Sequence, residues 1–267
     1  MDYCTKHENI KYFKLSKKGG VDFDYSIAVS YASGGMCWLF TDDDIIKKGA
    51  VAKILNLISE ETNLIVINSE VRDIDLKKKI VKSKLNIKNN IVYSEGDFNI
   101  FFENTINYLS FIGAVIINRK IWAERNKENY YGTEFIHLGV IFQKHMPGNC
   151  IIVAEPLIII RYGNAQWVER SFEIWMFKWP KLIWSFQSIS EISKQKVTSK
   201  EPWRIFNKLI LHRLNGDYNY IVFNKILLNK STSKIWSLIA ILISILPRTP
   251  LRFIDKFLTF SKKVFNN

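Results

Sequence analysis

An apolar stretch that ends in three consecutive carboxylates, Trp38-Leu39-Phe40-Thr41-Asp42-Asp43-Asp44, constrains this chain more than any other feature. A buried strand does not tolerate a run of adjacent charges, so the strand stops near Thr41 and delivers the acids to a rim. Three neighbouring acids repel one another unless a cation sits among them, and a divalent metal bridging to a phosphate is one such cation. An acidic turn, or a following helix capped by Asp44, is the plainer alternative.

The flanks give the triplet a context. Upstream lie Gly19-Gly20-Val21-Asp22-Phe23-Asp24-Tyr25 and Ala32-Ser33-Gly34-Gly35-Met36-Cys37-Trp38; downstream lies Ile45-Ile46-Lys47-Lys48-Gly49-Ala50-Val51. They read as a glycine loop, a helix, a strand, the acids and a second helix. Further on come Phe111-Ile112-Gly113-Ala114-Val115-Ile116-Ile117-Asn118-Arg119, Tyr131-Gly132-Thr133-Glu134-Phe135-Ile136-His137 and Arg161-Tyr162-Gly163-Asn164-Ala165-Gln166-Trp167. With Met36 where the pattern carries tyrosine, this ordered set resembles the family 2 glycosyltransferases of the GT-A fold. Within them it is most similar to the abequosyltransferase-like enzymes of bacterial O-antigen assembly. The resemblance runs from about residue 10 to Trp167. It implies an α/β, Rossmann-like GT-A domain over residues 1–167, followed by a helical C-terminal region over residues 168–267. The family opens with a strand and loop that form half of its nucleotide pocket, whereas residues 10–15 here match its third strand. The resemblance therefore also implies an N-terminally truncated domain: an enzyme as it stands, an enzyme completed by a partner subunit, or an inactive transferase.

The same resemblance implies transfer of a sugar, a dideoxyhexose among the candidates, from a nucleotide-sugar donor to a lipid-linked or surface glycan, with inversion. Mg²⁺ or Mn²⁺ would neutralise the diphosphate leaving group. The family pattern makes Asp44 the direct metal ligand with Asp42 beside it. Asp42 and Asp43 would also hold ribose, a sugar hydroxyl or metal-bound water. Asp22 and Asp24 stand where the family's loop meets the nucleotide, or Asp24 caps the helix. Glu134, just after a Thr133 cap, is the candidate general base; His137, three residues on and so on the same helical face, is the other. Arg161 would meet the diphosphate and Trp167 would stack on a sugar. Each has a structural alternative: a first-turn glutamate, a core histidine, a strand-end arginine, a packed tryptophan.

The remainder of the chain is read from pattern. Helices are expected over residues 24–32 and 50–59, from an Asp97 cap to about residue 107, and from Thr133 to about residue 144. Strands are expected over 10–15, 36–40, 64–67, 111–117 and 151–160, the last broken near Pro156. Residues 70–92 read as a solvated, lysine-rich excursion. Strands alternating with helices make an α/β sheet; after Trp167 the signals are helical. Hydrophobic residues make up 48% of the 267 and so exclude disorder. The net charge of +13 points to anionic ligands or surfaces, and no nucleic-acid-binding motif accompanies it. Cys4, Cys37 and Cys150 form no metal or disulfide pattern. Residues 1–15 lack an apolar signal core. Residues 235–246 make about 18 Å of apolar helix, short of a ~30 Å hydrocarbon core. Followed by the basic amphipathic residues 251–258 with Lys262 and Lys263, they suggest a cytoplasmic protein held at the inner-membrane surface.

Overall fold

Two long β-branched runs set the architecture. In a computed structural model, which describes residues 2–165, 167–230 and 233–249, they form strands β3 (Thr62–Arg72) and β7 (Asn149–Arg161), paired in parallel. Around them lie β1 (Met36–Trp38), β2 (Ile45–Ile46), β4 (Lys79–Val81), β5 (Ile91–Tyr93) and β6 (Val115–Asn118). The order is β1-β6-β3-β7-β2, with β4 beside β3 and β5 beside β7. Every pairing except β3–β7 is antiparallel. This mixed α/β arrangement is compatible with a Rossmann-like glycosyltransferase domain.

Period-two alternation gives the sheet two apolar faces. Leu64, Val66, Ile117, Cys150 and Ile152 face a core filled by Phe98, Phe101, Phe102 and Phe142. Ile65, Ile67, Ile116, Ile151 and Val153 face a smaller core with Ala50 and Ile54 from the Ala50–Leu55 helix. Beyond Trp167 the described chain is helical. Trp179, Ile183 and Phe186 close the first core, while Phe172, Trp203, Leu209, Tyr218, Phe223 and Ala240 build a third cluster.

Pro156 marks a break in register rather than a strand end. Ile67 pairs with Val153 and Ser69 with Ile158, so residues 154–157 bulge opposite Asn68 alone. Asn68 is fully buried. Its Nδ2 donates to Ala154 O, Leu85 O and Ser83 Oγ, and its Oδ1 accepts from Ser69 N and Leu85 N.

Several expectations are corrected. Residues 10–15 form no strand: Ile10, Tyr12 and Phe13 are exposed, and Phe13 stacks on Tyr31 with ring centroids 4.1 Å apart. The excursion begins later than residue 70, because Glu70 to Arg72 continue β3 and pair with β7, Val71 and Arg72 also pairing with β4. Asp97 does take the N-cap position of the Phe98–Thr105 helix, but its carboxylate turns back to Ser94 in a capping box on the preceding turn and caps no N–H of that helix. The expected strand 111–117 opens as a 3₁₀ turn, and only Val115–Asn118 pairs. The basic segment 251–258 and Lys262 and Lys263 lie outside the described residues. No helix among the described residues is long and apolar enough to cross a membrane.

Candidate active site

The acidic triplet occupies the turn joining β1 to β2, so it connects the two ends of the strand order. Arg161, the last residue of β7, clamps it. The Arg161 backbone N–H donates to Asp44 Oδ1 (2.9 Å), its Nε to Asp43 O (3.0 Å) and its Nη1 to Ile74 O (2.6 Å). Asn164 Nδ2 donates to Asp43 Oδ2 at 2.7 Å, and Thr41 Oγ1 to Asp44 Oδ2 at 2.9 Å. Both oxygens of Asp44 are thus engaged. Asp42 is exposed and makes no hydrogen bond or ion pair among the described residues. Burial raises the Asp44 pKa; its hydrogen bonds from Arg161 and Thr41 oppose that, and the Asp43 charge adds to it. Three residues on, Lys47 joins Arg72 and Lys79 around Glu70, at 2.8, 2.6 and 3.1 Å. Glu70 is 1% exposed. Burial disfavours its charge, yet the three cationic donors prevail and hold its pKa at about 2.

The second half of the site is the turn before the Ile136–Phe142 helix. Gly132 (φ 80°) and Glu134 (φ 72°) are both left-handed. A glutamate pays strain there and needs its surroundings to fix it. Asp22 supplies the fixing: Oδ2 accepts from Glu134 N and Oδ1 from Ile136 N, each at 2.9 Å. Asp22, 4% exposed, therefore caps a helix remote in sequence. Burial raises its pKa, with these backbone donors working against the rise. The Glu134 side chain, ahead of the helix, meets Arg170 and Lys178. Both ion pairs fall on Oε1; Oε2 has no partner among the described residues. Burial would raise the Glu134 pKa, but Lys178 and Arg170 lower it overall, so the carboxylate is ionised at neutral pH.

The Val21–Tyr31 helix contacts the Glu134 half directly and lies within electrostatic reach of the triplet. Asp22 holds the Glu134 turn. Tyr25, one turn along the same face, lies in the field of the triplet: its pKa is pushed up by burial first, then by Asp43, Asp44 and Asp42. Tyr25 was not singled out from sequence as a site residue, and only its position three after Asp22 hinted at it. Arg170 and Lys178, in the helical region, carried no local signal either.

Other expected site residues lie elsewhere. His137 does not share a face with Glu134, because the helix starts at Ile136 and Glu134 precedes it. It is 1% exposed, its Nε2 bonds Leu109 O at 2.7 Å, and burial lowers its pKa to about 4. Asp24 accepts from Gly19 N at 3.0 Å, ordering the glycine loop, while Gly20 takes the N-cap position. Trp167 is 44% exposed and packs edge-on to Trp175 with centroids 6.1 Å apart, and Trp175 in turn meets Phe135. The tryptophan thus stands on the Glu134 side.

Among the described residues, no group of three or more His, Cys, Asp and Glu stands ready to enclose a metal ion. The donor chemistry nonetheless fits a hard divalent cation. Asp42 and Asp43 Oδ1 offer oxygens with no partner among the described residues, and Mg²⁺ or Mn²⁺ commonly takes one or two carboxylates while keeping waters and substrate phosphates.

No family model matches the chain. Over 165 residues it is 22% identical to abequosyltransferase RfbV of Salmonella typhimurium, a match covering 58% of this chain and 50% of that protein. The chain thus matches about half the length of this curated relative. This is a distant similarity to a glycosyltransferase.

Proposed function

We infer that the chain is a glycosyltransferase of GT-A type that uses a nucleotide-sugar donor, with the acidic triplet on the donor side and Glu134 on the acceptor side. The observation that carries this reading is the pair of ordered turns, the acidic triplet held by Arg161 and Asn164 and the Glu134 turn held by Asp22 of the Val21–Tyr31 helix.

Asp42 and Asp43 would hold Mg²⁺ or Mn²⁺, with Asp44 as the anchored third carboxylate that keeps the turn in place. The bound cation would supply charge neutralisation for the departing diphosphate. Arg161 and Asn164 fix the turn's backbone and the Asp43 carboxylate, so the acids do not reorganise as the donor arrives. Glu134 would accept the proton of the acceptor hydroxyl at Oε2, while Arg170 and Lys178 keep Oε1 occupied and the group ionised. An ionised base acting on the acceptor hydroxyl would suit single-displacement inversion. Trp167, Trp175 and Phe135 form an aromatic row beside Glu134 suited to packing against a sugar ring. His137 takes no part. The acceptor is proposed to be a lipid-linked or surface glycan, as in O-antigen assembly.

The test is calorimetric titration of the chain with UDP, CDP, GDP and dTDP, with and without Mn²⁺. Metal-dependent binding of one nucleotide is expected. A folded chain that binds none of them would overturn the reading.

A further inference from the structure

We propose that the C-terminal helical cluster docks on an anionic lipid bilayer surface through one face of the Lys234–Ile245 helix. This inference stands independently of the glycosyltransferase reading. The helix buries Ala240, Ile243 and Ser244 against the third cluster. Its other side carries Ile235, Leu238, Leu242 and Ile245, which are 74%, 58%, 49% and 55% exposed. Their spacing of three, four and three residues puts them in one stripe along the axis. Single exposed apolar residues are ordinary, but a full stripe of four on one helix marks a surface with a partner.

The charge around the stripe names the partner. Between residues 202 and 249 the chain carries seven Lys and Arg and a single acid, Asp217. That acid is spent inside the cluster on His212 Nδ1, at 2.8 Å. Glu201, just outside this stretch, pairs with Arg204, and the cations still outnumber the acids, so the cluster's surface carries a cationic excess; Lys234 is exposed on the stripe's own helix and Lys225 on a segment packed against it. An apolar stripe flanked by cations matches a membrane interface, where side chains enter the acyl boundary and ammonium groups meet anionic headgroups. At about 18 Å the helix lies along such a surface and does not cross it.

The experiment is co-sedimentation of the full chain with phosphatidylcholine vesicles, with and without phosphatidylglycerol. Binding to the anionic vesicles is expected, weakening as salt rises. The double variant L238E/L242E, at exposed positions, should bind about tenfold more weakly while melting like the parent. K225E/K234E, which leaves the stripe intact, should also weaken binding and flatten its salt dependence. Failure of the parent to bind anionic vesicles overturns the proposal. A dimer in sedimentation velocity that L238E/L242E dissociates, without vesicle binding, assigns it to a second copy. Parent-like binding by both variants places the membrane contact elsewhere and equally overturns it.

Discussion

Asp22 and Glu134, 112 residues apart, are joined by a 2.9 Å hydrogen bond from the Glu134 backbone N–H to Asp22 Oδ2. The same carboxylate caps Ile136. One buried acid thus fixes a left-handed glutamate and starts the helix behind it, and the candidate base is aimed by a residue of the glycine-loop helix.

Removing that cap should be felt in the fold and in the site. Asp22→Ala leaves two backbone donors without an acceptor and should lower stability by about 1–2 kcal/mol. Urea unfolding would show this as a lower midpoint, and a midpoint equal to the parent's would contradict the capping role.

The three aspartates should separate by role. Asp42→Asn and Asp43→Asn should weaken Mn²⁺-dependent nucleotide binding about tenfold or more with little change in melting temperature. Asp44→Asn should in addition destabilise the turn, by about 1 kcal/mol, because it disturbs the acceptor of Thr41 and Arg161. Calorimetry paired with thermal melts distinguishes the two patterns; three identical profiles would remove the anchoring role from Asp44.

Glu134→Gln should lower the transfer rate by about a hundredfold or more while donor binding is unchanged. Glu134→Gly should be as inactive, yet lose little stability, since relief of the positive φ offsets the lost ion pairs. Single-turnover rates set against donor affinity are the measurement. A variant that keeps the parent's rate would remove Glu134 from the chemistry.

The Glu70 cluster should control acid stability. Its folded pKa, about 2, lies below its ordinary 4.5. The contribution is therefore complete above about pH 4.5 and disappears as pH falls toward 2. Glu70→Gln should lose about 3 kcal/mol at neutral pH, leaving three cations without their counter-charge, and show a shallower stability slope between those values. Acid titrations followed by circular dichroism would reveal the difference; matching slopes would count against it.

What the sequence disclosed follows from the range of the signals. The helix around Tyr25, the strand at Met36 and the rim position of Asp42 to Asp44 are written in local spacing and came out in place. Arg161 and Asn164 were visible as a loop after a strand, but their grip on the triplet, more than a hundred residues away, was not. His137 illustrates the opposite error: a motif-like context suggested chemistry, and only packing reveals that its ring is sealed against Leu109. Glu134 was placed inside a helix because Thr133 resembles a cap. The actual cap is Asp22, a tertiary contact that no window around residue 134 contains. Residues 10–15 match the family's third strand in chain order, but a strand exists only where a neighbour supplies hydrogen bonds.

The Asn68 clamp has a consequence for how this chain can diverge. By tying Ala154, Ser83 and Leu85 to one buried amide, it fixes the roots of the lysine-rich excursion independently of what lies between them. Length added near Asp75 would lengthen a loop whose closure cost rises only slowly with size, leaving β3 and β7 in register. Homologous chains should therefore differ in the length of this hairpin while keeping an amide at the bulge, whereas changes at Ile74 itself, whose carbonyl takes the Arg161 guanidinium, would reach the acidic rim.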